Sequence, residues 1–220
     1  RHLAIYNEKY WNWFPTSIRN IISKNIHQIK SNTEFKRRLI KLFQYSSLEK
    51  DEKIASYFFW INPELVHSIL SDKVKNEILD YKVSNQLINT LQNMSGKNKK
   101  LNKMLYLEIK HFLCDHNLNY TDKMGMSAGV EIRVPLLDRD LVEFTASLPI
   151  NMKQKGLTGK WIFKKAMEGI LPNDLIYRKK SGFGVPLRKW MKNNLSEFVN
   201  DTLSSESLKN RMIFDKYGLE

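Results

Sequence analysis

Apolar positions along this chain recur mostly three or four residues apart, so the pattern predicts helices. Leu3, Tyr6, Tyr10, Trp11 and Phe14 make a first stripe, and Pro15 stops it because proline lacks the N–H that the next turn needs. Ile18, Ile21, Ile22 and Ile26 make a second. The pattern restarts at Thr33 with Phe35, Leu39, Ile40 and Phe43, and again at Ser47 with Ile54, Tyr57, Phe58 and Ile61. Asn62 and Pro63 then read as the cap and first residue of another helix, where proline's missing N–H has no partner to lose. Leu65, Val66, Ile69 and Leu70 follow on that helix. The polar run from Ser95 to Lys100 is the best break in the chain, and a helix carrying Leu101, Met104, Leu105, Ile109, Phe112 and Leu113 is expected after it. No fixed-period repeat is visible. The fold class on this pattern is mainly α.

Between Leu113 and Trp190 glycines and charges interrupt the helical spacing, and such connections tend to carry function. In the run Ser127 to Asp138, an extended middle would place Glu131 and Arg133 on one face and Val130, Ile132 and Val134 on the other, which is expected to be buried. A carboxylate and a guanidinium would then share a side. That pair has two readings: a site for an anionic ligand, or a buried ion pair that only fixes the turn. Asp138 reads as the N-cap of a helix striped by Leu141, Phe144, Thr145 and Leu148, with Asp140 favouring its positive end.

A second run, Tyr177 to Leu187, sets Arg178, Lys179 and Lys180 before Ser181, Gly182, Phe183 and Gly184. Backbone N–H groups can approach an anion closely where glycine stands, and lysine adds a mobile charge, so the run suits phosphate. It lacks the Gly-Lys-Ser/Thr order of a Walker loop, and its plain alternative is an exposed basic turn. Pro186 is expected to open a helix with Leu187, Trp190, Met191, Leu195 and Phe198 as its core face.

Composition narrows these readings. With 220 residues, 42% hydrophobic, the chain has material for a sizeable core and is not a disordered tail. Its single cysteine, Cys114, excludes an internal disulfide and is expected to be buried. The five histidines show no metal-ligand spacing, and no zinc is expected. No run approaches the roughly 18 to 20 apolar residues of a membrane span, and no signal pattern opens the chain, so a cytoplasmic protein without membrane association is expected. The formal charge of +13 comes from lysines spread along the chain, the mark of solvated helix faces. A non-catalytic basic helical module that binds nucleic acid is the rival class. It would need cations clustered with exposed aromatics, whereas here the cations of both runs are interleaved with core-like residues, and no nucleic-acid partner is expected.

Taken together, Asp122 to Ser127, Gly129 to Asp138, Leu141 to Phe144, Leu148-Pro149, Leu171-Pro172, Arg178 to Phe183, and Pro186 with Trp190 resemble the C-terminal signature of the glutamine-hydrolysing asparagine synthetase family. The resemblance implies the helical C-terminal portion of an adenine nucleotide alpha-hydrolase-like α/β domain, with most of its parallel sheet missing. On that basis residues 1–100 form a helical wall, 101–200 an active-site segment and 201–220 a C-terminal tail. It also implies that ATP activates the aspartate side chain as an acyl adenylate and that ammonia, released from glutamine by an N-terminal glutaminase domain of the same polypeptide, displaces AMP.

Lys180 matches the family lysine that meets the charge on departing pyrophosphate, while Glu131 and Arg133 match its Glu-x-Arg element. Asp122, Arg178, Lys179, Ser181 and Gly182 are the implied substrate- and phosphate-binding residues. The cofactors implied are ATP and Mg2+, with most magnesium ligands upstream of Arg1, where the family's Ser-Gly-Gly-x-Asp-Ser pyrophosphate loop would also lie. This chain alone is therefore expected to be inactive, and a homodimer is compatible with the resemblance. Beta-lactam synthetases and peptide-cyclising homologues share the chemistry on other carboxylates and stand as the alternative within the family.

Overall fold

The computed structural model describes residues 15–26, 40, 43, 45–79, 81–94, 99–179 and 186–215. The stripe from Leu3 to Phe14, most of that from Thr33 to Phe43, and the residues Lys180, Ser181 and Gly182 lie outside the described residues.

In chain order the helices are α1 (Thr16–Asn25), α2 (Lys50–Ser56), α3 (Pro63–Ser68), α4 (Asp72–Glu77), α5 (Asn85–Gln92), α6 (Lys100–Leu107), a π-helical stretch (Glu108–Leu118), α7 (Asn119–Ser127), a single 3-10 turn (Pro135–Leu137), α8 (Arg139–Ser147) and α9 (Ile150–Lys153). A hairpin of β1 (Gln154–Lys155) and β2 (Thr158–Gly159) follows, then α10 (Trp161–Met167), α11 (Asn173–Ile176), α12 (Leu187–Lys192), α13 (Ser196–Thr202) and α14 (Ser205–Arg211). The architecture is mainly helical, as the spacing predicts. Among the described residues the one sheet is this antiparallel pair, with Gln154 opposite Gly159 and Lys155 opposite Thr158. No helix among them is long and apolar enough to cross a membrane.

The chain forms two compact units, one of Arg1–Phe58 with Gln86–Tyr177 and the other of Phe59–Asn85 with Arg178–Glu220. The first is built around α6. Leu101, Met104 and Leu107 repeat every third residue on one face of it and pack with Ile54 of α2 and Leu91 of α5 into the buried core. Each such side chain contributes about 1.5 to 3 kcal/mol when fully buried. Lys103, on α6 between two core residues, donates to both carboxylate oxygens of Asp51 at 2.7 and 3.0 Å, tying α6 to α2. Lys153 caps the arrangement by donating to Asn102 Oδ1 at 3.1 Å and to the Ala146 carbonyl at 2.8 Å. Its burial there pushes the ammonium pKa below its ordinary value.

Beyond Leu107 the rod continues with helical backbone angles but changes winding, since Glu108–Leu118 is π-helical. Each turn is wider there, so a stripe read at the α spacing drifts off the core. Ile109, expected on the core face, is exposed, and Phe112 and Leu113 are half-buried. Cys114 is exposed rather than buried; its thiol donates to the carbonyl of Ile109, five residues back, at 3.2 Å. Thr90 Oγ1 lies 2.9 Å from His111 Nε2 and links this stretch to α5.

The second unit starts as the sequence predicts. Asn62 Oδ1 accepts from the Glu64 N–H at 3.0 Å, with Pro63 at the first helical position. A short antiparallel bridge then joins Leu70 to Phe214, flanked by Ser71 N–H to the Ile213 carbonyl at 2.9 Å and Asp215 N–H to the Ile69 carbonyl at 2.8 Å. Leu208 of α14 is buried in this unit. The helix expected from Pro186 through Phe198 is instead two. Pro186 is the cap before α12, which stops at Lys192, and Asn193 leaves helical geometry at φ −116°, ψ −83° before α13 begins. Two consecutive asparagines, whose amides compete for backbone groups, account for the break. The side chains expected to form its core face, from Leu187 through Trp190 to Phe198, are exposed.

Candidate active site

The Glu131 and Arg133 element is set by how α7 ends. The Val130 N–H reaches back to the Gly125 carbonyl at 2.9 Å and the Gly129 N–H to the Met126 carbonyl at 3.0 Å, the double closure of a Schellman motif. Its left-handed position is filled by Gly129, φ +67°, the one residue type that adopts this angle without a Cβ penalty. Gly125 is needed for another reason. A Cβ there would stand 2.7 Å from the Val130 carbonyl oxygen and 2.9 Å from the end of the Ile132 side chain. The absence of that atom lets residues 130–132 fold back against α7.

From this turn residues 130–134 run extended, as the alternation predicts, with no strand beside them among the described residues. The expected burial of their apolar face is not found: Val130, Ile132 and Val134 are 56%, 49% and 41% exposed, because Gly125 backs Ile132 and little else covers the run. Arg133 Nη2 lies 3.1 Å from Glu131 Oε1 and 3.2 Å from Oε2, with both side chains mostly in solvent. The pair is therefore a surface pair, and the reading as a buried ion pair fails. An exposed pair of this sort contributes at most about 1 kcal/mol to stability. Glu131 engages one guanidinium nitrogen, and the others remain available for a planar, doubly hydrogen-bonded grip on a phosphate or carboxylate.

Downstream, Pro135 opens the 3-10 turn and Asp138 Oδ1 accepts from the Leu141 N–H at 3.1 Å, which confirms it as the N-cap of α8. The Arg139 and Glu143 side chains pair at 2.9 Å along the outer face of that helix. Leu141 and Phe144, expected on its core face, are exposed.

Asp122 is exposed in the first turn of α7, in the same unit as Glu131 and Arg133. Arg178 and Lys179 are exposed and belong to the second unit, while Lys180, Ser181 and Gly182 lie outside the described residues. The structure thus brings Glu131 and Arg133 together and leaves the basic run described only at its first two cations.

One cluster escaped the sequence reading. Glu168, just beyond α10, accepts from Lys165 Nζ at 2.9 and 3.0 Å and from the Tyr177 hydroxyl, while Lys164 Nζ sits 5.3 Å from the centre of the Tyr177 ring. The Tyr177 hydrogen bond, and then Lys165, holds the Glu168 carboxyl below its ordinary pKa. The same carboxylate raises the pKa of both Tyr177 and Lys165. The i, i+3 spacing of Lys165 and Glu168 was visible in the sequence; the return of Tyr177 was not.

Comparison with known proteins adds to this geometry. The family model for asparagine synthase matches residues 1–220. The chain is 33% identical over 156 residues to asparagine synthetase (glutamine-hydrolyzing) 1 of Bacillus subtilis, an overlap covering 69% of this chain and 24% of that protein. It is 32% identical over 130 residues to asparagine synthetase (glutamine-hydrolyzing) 3 of the same organism, covering 59% and 21%. With asparagine synthetase (glutamine-hydrolyzing) 1 of Arabidopsis thaliana it shares 27% over 122 residues, covering 44% and 21%. The chain spans about a quarter of the length of these relatives. No solved structure matches.

Proposed function

Because this chain belongs to the asparagine synthase family, we propose that it serves as the C-terminal part of an ATP-dependent asparagine synthetase and supplies charge-stabilising residues to the adenylation step. In that reaction an oxygen of the aspartate side-chain carboxylate attacks the α-phosphorus of ATP, and the bond to pyrophosphate breaks. Ammonia then attacks the acyl carbon, AMP leaves, and an amide remains.

Each assigned residue answers a charge demand of these steps. Lys180 is the residue proposed to answer the charge of departing pyrophosphate, since an ammonium stabilises the negative charge that builds as the bond breaks. Arg133 grips a phosphate or the reacting carboxylate with the donors that Glu131 leaves unused, and Glu131 holds the guanidinium plane. Arg178, Lys179, Ser181 and Gly182 are the residues proposed to bind phosphate, with Asp122 as a further substrate contact. Among the described residues no group of three or more His, Cys, Asp or Glu side chains could hold a metal ion; ATP with its magnesium, most of whose ligands lie outside this chain, belongs to the proposal. The nucleotide fold of the adenine nucleotide alpha-hydrolase type, the glutaminase domain that delivers ammonia, and a cytoplasmic setting belong to the same proposal, as does inactivity of this chain alone.

The observation that carries the reading is the exposed Glu131 and Arg133 pair, held by the Schellman turn where a ligand can reach it. The test is pyrophosphate release by the full-length polypeptide bearing this sequence. Release from ATP is expected only when aspartate is present, and Lys180→Ala is expected to cut it by about 100-fold or more. Full turnover by that variant would reject the role of the lysine. Release driven by a different carboxylate would move the enzyme to the beta-lactam synthetase or peptide cyclase type.

A further inference from the structure

We propose that Glu168 is a positioning residue, acting through Tyr177 to fix the point at which the basic run Arg178-Lys179 leaves α11. The inference rests on the adenylation reading above.

α11 spans four residues, Asn173–Ile176, too few to hold helical shape unaided. Its closing bonds are the N–H groups of Leu175 and Ile176 to the Pro172 carbonyl, both 3.1 Å, and the Tyr177 N–H to the Asn173 carbonyl at 3.0 Å. The first cation of the basic run follows Tyr177 directly. An external anchor is needed here, and Glu168 provides it. Its carboxylate accepts the Tyr177 hydroxyl and both contacts from Lys165, so the end of α11 is tied to the end of α10. A parallel bridge between Glu168 and Leu171 fixes the intervening turn. Lys164 Nζ, 5.3 Å from the centre of the Tyr177 ring, adds a cation–π contact to it.

The arrangement has no catalytic geometry of its own. Tyr177 donates its proton to Glu168, and both Glu168 oxygens are engaged by Lys165 or Tyr177. What remains is placement. With Tyr177 anchored, the point from which Arg178 and Lys179 follow is set, and a small misplacement of a charge-stabilising group lowers turnover. The groups in the cluster are 36% exposed for Glu168 and 45% for Lys165, so the effect should be modest, about fivefold.

The experiment uses the full-length polypeptide with Tyr177→Phe, Glu168→Ala and Glu168→Gln. Phenylalanine keeps the ring under Lys164 and removes the hydroxyl; glutamine keeps an acceptor for Tyr177 without the charge. In Tyr177→Phe and Glu168→Ala, kcat for aspartate-dependent pyrophosphate release should fall about fivefold with KM for aspartate unchanged, and Glu168→Gln should recover most of the loss. Hydrogen exchange should quicken at the amides of Leu175, Ile176 and Tyr177 while those of α6 keep their rates. Faster local exchange with unchanged kcat overturns the positioning role, as does an equal loss in Glu168→Gln and Glu168→Ala. Exchange that quickens across α6 as well shows a general structural defect and also overturns it. Failure of the adenylation reading looks different: the unmodified enzyme would release no aspartate-dependent pyrophosphate, whatever the exchange at α11.

Discussion

The helices α2, α5 and α6 and the segment from Gly125 to Asp138 use similar residues to opposite ends. In the first, Ile54, Leu91, Leu101, Met104 and Leu107 are buried together and the charged pair Lys103 and Asp51 braces the outside of the same helices. In the second, Val130, Ile132 and Val134 stand in solvent and the charged pair is held out by a turn. The difference teaches that side-chain chemistry alone does not separate scaffold from site. What separates them is the backbone: a regular α6 in one case, and in the other a Schellman motif with two glycines that folds the chain back on α7 and leaves its charged pair in solvent.

The comparison can be broken first at the scaffold. Leu107→Ala or Met104→Ala removes a fully buried side chain and should lower stability by about 2 to 5 kcal/mol in urea unfolding, leaving turnover per folded molecule nearly unchanged. Gly125→Ala tests the second region from within. The new methyl presses on the Val130 carbonyl and Ile132, so about 1 to 3 kcal/mol of stability should go, together with activity, because the Glu131 and Arg133 segment must shift. Asp138→Ala removes the cap of α8 and should cost about 1 kcal/mol, read as a lower unfolding midpoint with little change in KM for ATP.

The smallest effect is a pH dependence of the Glu168 cluster. The Glu168 carboxyl is depressed below its ordinary 4.5, so its contribution is complete above that value and is lost as pH falls through the lower folded-state pKa. Tyr177 and Lys165 are raised above 10.0 and 10.5, so theirs is complete below those values and disappears as pH rises through the higher folded-state pKa. Amide exchange across α11 should therefore be slowest, relative to α6, through the neutral range and quicken at both extremes. Tyr177→Phe should flatten the profile.

Where local signals act alone, the sequence is a good guide. Asn62 with Pro63 and Asp138 as a cap need only neighbours within one turn, and both are found, as is the start of the α6 stripe at Leu101 and Met104, although the fully buried Leu107 is not among its expected members. The π-helical winding from Glu108 is not readable from side-chain spacing, which is why Ile109 and Cys114 lie on faces other than those expected. Alternation along Val130 to Val134 identifies two faces but not what covers either. Glu168 and Tyr177 are nine residues apart and meet because Leu171-Pro172 turns the chain, a tertiary event without a periodic signature.

If the exposed Glu131 and Arg133 pair serves chemistry, as proposed, removing it should cost activity and not stability. Arg133→Ala in the full-length polypeptide measures this most directly, with aspartate-dependent pyrophosphate release and the thermal midpoint read on the same sample. Turnover should fall about 100-fold, with a stability change within about 1 kcal/mol. Unchanged turnover accompanied by a clear fall in the midpoint would contradict it.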